Sequence, residues 1–184
     1  MENRRTLAVL GARGVGKSSV VERFCYNRFY DNYNPTIMAM EHVTLKIDGK
    51  QYQCDIMDPA GQDDFSTLGP NVTIGVHGYI LVFSVRERGS FEMLPGLNSN
   101  LLVALSGQKV PTLLVGNQSD CGTNERQVSV EEGKQLGKEL KINYVECSAK
   151  SGEGVKEVFV TLLRDVNRTI ADEVVDEGFK CSIS

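Results

Sequence analysis

The chain has 184 residues, and 20 Lys and Arg stand against 24 Asp and Glu, which gives a formal net charge of −4 at pH 7. Hydrophobic residues make up 41% and charged residues 24%, a composition that suits one globular domain and excludes a disordered or fibrous chain. The acidic balance supplies no general attraction for a nucleic-acid backbone, and no apolar run approaches the roughly 18–20 residues of a spanning helix.

The cysteines and the N-terminus point to the cytosol. The five cysteines are irregularly spaced and form no C-x-x-C pair, which argues against a disulfide framework or a zinc site. The first residues lead directly into a strand-like run, so we expect no signal peptide. We therefore expect a cytoplasmic protein with reduced thiols.

Short apolar runs alternate with helical patterns along the chain. Six runs are predicted to be strands: Thr6–Leu10, His42–Ile47, Gln51–Met57, Gly78–Val85, Pro111–Gly116 and Asn143–Cys147. Between the second and third runs, the Asp48-Gly49 pair predicts a tight hairpin.

Four helices are predicted between or after these strands. Their apolar positions are, in order, Val20, Val21 and Phe24; Leu94, Leu97, Leu101, Leu102 and Leu105; the Val130–Leu140 segment; and Val155, Val158, Phe159, Leu162, Val166 and Ile170. Residues 63–74 show no clear period. The order predicts an α/β fold: a six-stranded, mostly parallel sheet with one antiparallel edge strand and helices on both faces. We expect residues 1–170 to form this domain and residues 171–184 to form a flexible tail.

The first strand leads into a phosphate-binding pattern. Gly11–Ser18 reads G-A-R-G-V-G-K-S and matches G-x-x-x-x-G-K-[ST] between an apolar strand and a helix. In such a loop the backbone N–H groups surround phosphates, Lys17 reaches the β- and γ-oxygens, and the Ser18 hydroxyl ligates Mg²⁺. The alternative is a glycine-rich turn that holds no ligand.

Three polar segments follow later strands. They are Asp58–Gln62 (D-P-A-G-Q), Asn117–Asp120 (N-Q-S-D) and Ser148–Lys150 (S-A-K). Ligands of open α/β sheets bind where strands end, so we expect the three segments to meet at one site. Each segment alone is weak evidence for a binding site, because a short polar cluster after a strand is usually only a loop. The three together, in this order and spacing, are a specific signal.

With these segments the sequence resembles the Ras superfamily of small GTPases over nearly its whole length, and within it the Rheb subfamily. Arg13 carries the subfamily likeness, because Rheb-type loops read Gly-x-Arg-x-x-Gly-Lys-Ser where most Ras-like proteins have glycine. The segment Gly61–Ser66 is similar to the Rheb second switch, and Gly78–Val85 to the strand that follows it. The alternative is a Ras- or Rap-like protein with a chance arginine.

The resemblance implies roles in base recognition. The Asp120 carboxylate would accept from guanine N1 and N2, the Ala149 N–H, positioned by Ser148, would donate to O6, Asn117 would brace the base loop, and Phe29 would lie against the base. The implied nucleotide-binding set is Arg13, Gly14, Val15, Gly16, Lys17, Ser18, Ser19, Phe29, Tyr30, Tyr33, Thr36, Gly61, Asn117, Asp120, Ser148, Ala149 and Lys150.

The resemblance also implies a magnesium site and a hydrolytic reaction. The metal ligands would be Ser18, Thr36 and Asp58, and the catalytic residues would be Gln62, Tyr33 and Thr36. A bulky Arg13 beside the γ-phosphate would crowd an arginine finger, so we expect slow hydrolysis. The family points to an activating protein of the tuberous-sclerosis-complex type, to the TOR kinase complex as effector, and to a monomer that does not bind nucleic acid.

Several residues depart from the family pattern. Gln118 stands where most relatives have lysine, which predicts weaker nucleotide binding and faster exchange. Pro59 replaces a threonine and stiffens the start of the second switch. Asn34, Met38 and Ala39 change the first switch, the segment from Tyr33 to Ala39, so effector binding inherited from the family is an open question.

The last four residues form a candidate prenylation signal. Cys181–Ser184 reads C-S-I-S, a C-a-a-X pattern whose final serine favours farnesylation. A single lipid gives marginal anchoring, and the tail has neither a basic cluster nor a second cysteine. We therefore expect loose attachment to the cytosolic face of internal membranes. The alternative is a tail cysteine placed there by chance.

Three functions remain open on the sequence alone. The first is a switch of the Rheb type that hydrolyses GTP, and the second is an interaction protein that hydrolyses poorly and stays loaded with GTP. The third is a P-loop kinase or ATPase, against which Asp120 and the lack of a lid segment argue.

Overall fold

The computed structural model describes residues 3–31, 37–61 and 68–180, with side chains as far as residue 172. The strands of these parts are β1 (Arg4–Gly11), β2 (Met38–Ile47), β3 (Lys50–Pro59), β4 (Gly78–Ser84), β5 (Thr112–Asn117) and β6 (Asn143–Glu146). The α-helices are α1 (Lys17–Tyr26), α2 (Arg88–Glu92), α3 (Leu94–Ala104), α4 (Val130–Leu140) and α5 (Val155–Lys180). A 3₁₀ turn covers Pro70–Val72, within the stretch that had no predicted period.

The strands form one sheet in the order β2-β3-β1-β4-β5-β6. Only the β2–β3 pair at the edge is antiparallel, and the other neighbours pair in parallel. The hairpin turns at Asp48 and Gly49, whose φ angles of 50° and 81° are those of the tight turn that an Asp-Gly pair favours. The predicted fold class is confirmed, and the carboxyl ends of the five parallel strands meet at one edge.

Both faces of the sheet are covered by helices. On one face α1 and α5 pack on buried strand residues, and the rings of Phe24 and Phe159 stack with centroids 3.9 Å apart. On the other face, α2, α3 and α4 cover Phe83, which contacts Phe91 at a centroid distance of 5.0 Å. The two cores fix the sheet rigidly beneath the loops at its carboxyl edge.

Two details of the helix predictions are wrong. Leu102 is 47% exposed, because it lies about 100° around α3 from the buried Leu101 and so leaves the apolar stripe. The last helix was expected to end at Ile170, but α5 continues to Lys180. Residues 171–177 contain neither glycine nor proline, so the helical backbone continues without an apolar stripe. The division into a domain and a tail at residue 170 stays a prediction.

Within the described residues, none of the helices has the length and apolar content that crossing a bilayer requires. The cysteines of the described part are free thiols, namely Cys25, Cys54, Cys121 and Cys147.

Candidate nucleotide-binding site

The loop between β1 and α1 needs glycine at two positions. A Cβ on Gly11 would lie 2.1 Å from the Val82 carbonyl oxygen, and a Cβ on Gly16 would lie 2.5 Å from Asn117 Nδ2. Both glycines have positive φ angles, of 148° and 89°. Gly16 is also the N-cap of α1 and, because it has no side chain, provides no side-chain cap for the helix. The loop thus comes close to β4 and β5, and the N-terminus of α1 faces a site suited to an anion.

Lys17 lies inside this loop. Its ammonium group is buried and donates to the carbonyl oxygens of Gly11 and Ala12, at 3.1 and 3.0 Å. Burial lowers the pKa of Lys17 to about 8, and the nearby Asp58 opposes the shift. Phosphate oxygens that enter the loop would stabilise the charged form, which is the role predicted for this lysine.

A carboxylate suited to a hard cation lies next to the loop. Asp58 is buried in β3, and its side chain is hydrogen-bonded to the Ser18 hydroxyl. Burial raises the pKa of Asp58, and its Oδ1 has no hydrogen-bond partner among the described residues. A carboxylate oxygen and a hydroxyl are ligands that Mg²⁺ prefers, so these two residues fit the predicted metal site. Thr36, the third predicted ligand, lies outside the described residues.

We call the loop after β6, Ser148–Lys150, the base loop, and Asn117 joins it to the phosphate loop. Its Nδ2 donates to the Val15 carbonyl oxygen at 2.9 Å, and its Oδ1 accepts from the Ala149 N–H at 3.1 Å. The side chain is almost fully buried at the end of β5. This is the geometry that the predicted bracing role requires. Guanine O6 would have to share the Ala149 N–H with Asn117.

Ser148 orients the candidate base-reading carboxylate. Its hydroxyl donates to Asp120 Oδ1 at 2.6 Å and accepts from the Ser151 N–H at 3.0 Å. Ser148 was expected to position Ala149, but in the structure its side chain holds Asp120, and Asn117 holds Ala149. Asp120 itself is exposed, so a ligand can reach its carboxylate from solvent.

Further predicted nucleotide residues in the described part of the chain lie on the phosphate loop, on α1 and in the segments that follow α1 and β6. Ser19 is half-buried in the first turn of α1, and Phe29 packs partly buried against the core under α1. Tyr30 is 59% exposed, and the Lys150 side chain is exposed. Arg13 and Gly14 are exposed on the loop.

The start of the second switch lies against the phosphate loop. A Cβ on Gly61 would come within 2.6 Å of the Arg13 backbone and of its Cγ. The Ala60 N–H donates to the Ile37 carbonyl oxygen at 3.0 Å, which joins the segments that border the two switches. Tyr33, Gln62 and Cys181 lie outside the described residues, so their roles stay predictions.

The sequence profile of the Ras family matches residues 6–168. The chain belongs to the Ras family. It is 41% identical over 167 residues to "GTP-binding protein Rheb homolog" of Dictyostelium discoideum, and these residues make up 91% of this chain and 90% of the relative. It is 36% identical over 180 residues to "GTP-binding protein rhb1" of Schizosaccharomyces pombe, with 98% and 97% covered. "Ras-like protein RAS2" of Hydra vulgaris is 37% identical over 166 residues, with 90% and 86% covered. The predicted likeness to Rheb is confirmed.

One departure from the family pattern has a defined environment. Gln118, at the position of the usual lysine, has a φ angle of 66°, and its Oε1 accepts from the Ser84 hydroxyl at 2.6 Å. The side chain therefore holds the segment after β5 against the end of β4. Sequence reasoning identified the substitution but missed Ser84, because a serine at the end of a strand carries no local signal.

Other contacts of the base loop were also missed. Arg126 forms an ion pair with Glu146 at 2.6 Å, and Glu146 also accepts from the Tyr144 hydroxyl at 2.5 Å. This group fixes β6 immediately before the base loop. Arg23 of α1 donates to two carbonyl oxygens of the loop itself. These residues are spread over the sequence and match no motif.

Proposed function

We propose that this Rheb-like member of the Ras family is a GTP-binding molecular switch that hydrolyses GTP to GDP and phosphate and signals to an effector when GTP is bound. The observation that carries the proposal is the pair of hydrogen bonds made by the Asn117 side chain, which holds the phosphate loop and the base loop together at one edge of the sheet. Two ligand ends, a phosphate chain and a purine, would thus be held by one rigid unit.

Guanine selectivity follows from the Asp120 carboxylate. Asp120, held by Ser148, offers a carboxylate oxygen to the N1 and N2 donors of guanine. Adenine lacks this pair of donors and would leave the carboxylate unpaired, which disfavours its binding. This argues for a GTPase and against a P-loop kinase or ATPase.

The proposed metal site uses the Asp58 carboxylate, the Ser18 hydroxyl and Thr36. When bound there, Mg²⁺ would neutralise charge on the β- and γ-phosphates. Asp58 and Ser18 are already in contact, so they provide a preformed side of the site. Thr36 and Gly61 would respond to the γ-phosphate, and the segments that carry them would loosen when it leaves.

Slow hydrolysis is proposed from the contact between Arg13 and Gly61. The backbone and Cγ of Arg13 lie next to Gly61, immediately before Gln62, which would orient water, while Tyr33 and Thr36 would shape the reaction. An arginine finger would have little room, so the activator would supply another group, as the tuberous-sclerosis-complex type does in the Rheb subfamily. The same contact supports the second candidate, an interaction protein that remains mostly loaded with GTP.

The proposed location is the cytosolic face of internal membranes, through a farnesyl group on Cys181. The helical backbone of α5 reaches Lys180, immediately before that cysteine. Comparing the membrane fraction of the full chain with that of Cys181→Ser tests this, because only the former is expected to pellet with membranes. Equal fractions would contradict prenylation.

The TOR kinase complex is the effector that the likeness to Rheb suggests. The alternative is an effector of the Ras or Rap type.

Two measurements test the proposed function. Nucleotide released from the purified protein should be GDP or GTP, and excess ATP should not displace labelled GTP. Single-turnover hydrolysis with and without a cell extract then separates a switch, which an activator accelerates, from a permanently loaded protein, which shows no turnover in either case. Equal competition by ATP and GTP would refute the proposal.

A further inference from the structure

Arg23 connects α1 to the base loop across most of the sequence. Its Nε donates to the Ala149 carbonyl oxygen at 2.7 Å, and its Nη2 donates to the Lys150 carbonyl oxygen at 2.6 Å. Ala149 is 126 residues away in the chain. These two carbonyls belong to consecutive residues of the loop whose N–H groups are proposed to read guanine.

The same guanidinium also fixes the end of α1. Its Nη1 donates to the carbonyl oxygen and to Oδ1 of Asn27, at 3.2 and 3.1 Å. Asn27 is the C-cap of α1, with a φ angle of 54°, and its N–H donates to the Arg23 carbonyl oxygen. Beyond Asn27 the chain passes Phe29, the proposed base neighbour, and leads to the first switch. Arg23 therefore links two segments that would lie on either side of the bound base.

The shape of the side chain suits this link. A planar guanidinium presents several N–H donors in a fixed fork, and charge strengthens its hydrogen bonds to carbonyl oxygens. A lysine ammonium is a point charge on a flexible stem and cannot present the same fork to both carbonyls and to Asn27. Gly152 adds to the fit, because a Cβ there would lie 3.5 Å from Arg23 Cδ, so the turn of the loop lies over the arginine stem.

We propose that Arg23 is a positioning residue of the base loop, which slows nucleotide release by holding the carbonyls of Ala149 and Lys150 against the end of α1. This inference rests on the proposed function. Arg23 need not touch the nucleotide. It acts through the Ala149 and Lys150 backbone, and its removal would let the loop and the Asn27–Phe29 segment separate.

The test compares Arg23→Ala and Arg23→Lys with the wild type and with Arg164→Ala. Arg164 is a matched control, because it is also a helical arginine that pairs with another element: its partner is Asp48 of the β2–β3 hairpin, at 3.1 Å and at the edge of the sheet opposite to the site. Three quantities are measured for each protein: the release rate of fluorescent GDP, the ratio of the dissociation constants of ADP and GDP, and the melting temperature.

We expect Arg23→Ala to release GDP about tenfold faster, which corresponds to about 1.4 kcal/mol. The preference for GDP over ADP should also fall severalfold, because only guanine O6 uses the Ala149 N–H. Arg23→Lys should lie between the wild type and the alanine variant, and Arg164→Ala should match the wild type. A purely structural role would lower the melting temperature but leave the ADP-to-GDP ratio unchanged.

An unchanged ratio, or a wild-type release rate in Arg23→Ala, would overturn the inference. If Arg23→Ala does not fold, Arg23→Lys and Arg23→Gln provide the same comparison. Failure of the proposed function looks different, because the wild type and Arg164→Ala would then fail to bind GDP in preference to ADP.

Discussion

Replacing Asn117 with alanine would separate the phosphate loop from the base loop. The substitution removes the bonds to the Val15 carbonyl oxygen, at 2.9 Å, and from the Ala149 N–H, at 3.1 Å. Both lost bonds are buried, and a buried backbone group left without a partner costs about 1–3 kcal/mol. The total is therefore about 2–6 kcal/mol, shared between folding and nucleotide binding.

The nucleotide contacts both loops, so much of this cost should appear in its release. We expect Asn117→Ala to release GDP at least about 30-fold faster than the wild type, equivalent to about 2 kcal/mol. The assay is displacement of fluorescent GDP by excess unlabelled GDP. Asn98→Ala is the control, because Asn98 is a buried asparagine of α3 that lies away from the site. A release rate within twofold of the wild type in Asn117→Ala would refute the reasoning.

Two further predictions concern charge and the family departure. Lys17 has a pKa of about 8 in the free protein, and phosphate oxygens would keep it protonated in the complex, so GDP affinity should fall as pH rises. Between about pH 7 and about pH 8.5 the affinity should fall about fourfold. Calorimetry should show proton uptake when GDP binds to the wild type but not when it binds to Lys17→Arg, because the arginine is charged in both states. Equal pH profiles for the two proteins would contradict this prediction. Gln118→Lys should slow GDP release severalfold, because a longer cationic stem can lie over the base. Loss of the hydrogen bond from Ser84 should lower the melting temperature of this variant slightly. A wild-type protein that already releases GDP as slowly as the variant would contradict the prediction.

The low pKa of Lys17 also affects the stability of the nucleotide-free protein. Between about pH 8 and about pH 10.5 the unfolded chain binds a proton that the folded chain has lost. The contribution of Lys17 to the free energy of unfolding therefore rises with pH across this interval. Nucleotide affinity and the stability of the free protein thus change in opposite directions.

The sheet was predictable because its strands carry strong local signals. Buried parallel strands are continuous apolar runs, and the Asp48-Gly49 pair fixes the hairpin. The bounds of β2 were less predictable. β2 starts at Met38, whereas its pattern was recognised only from His42, because its first residues are held by pairing with β3 as far as Pro59. Pairing with a partner strand leaves no mark on the local pattern.

The same distinction applies to the site. Motif residues such as Lys17 and Asp120 were identified because a ligand imposes both residue type and spacing. Arg23 and Ser84 were missed because they hold loops through hydrogen bonds to partners that are distant in the sequence. A backbone carbonyl accepts from an arginine whatever its own side chain is, so neither partner's sequence records the contact.

Two side chains, those of Asn117 and Arg23, hold the base loop through hydrogen bonds. They differ in burial, so their removal should have different effects on folding and on nucleotide release. Asn117 lies in the core of the site, where loss of a hydrogen bond costs the full desolvation of the groups left behind. Of the two bonds from Arg23 to this loop, the one to Ala149 is partly buried and the one to Lys150 is exposed, so their loss should cost the fold less than the loss of Asn117. The Arg23 side can therefore open while the fold stays intact, whereas the Asn117 side cannot. Asn117→Ala should then lower both melting temperature and affinity, and Arg23→Ala should change mainly the rate and selectivity of nucleotide release.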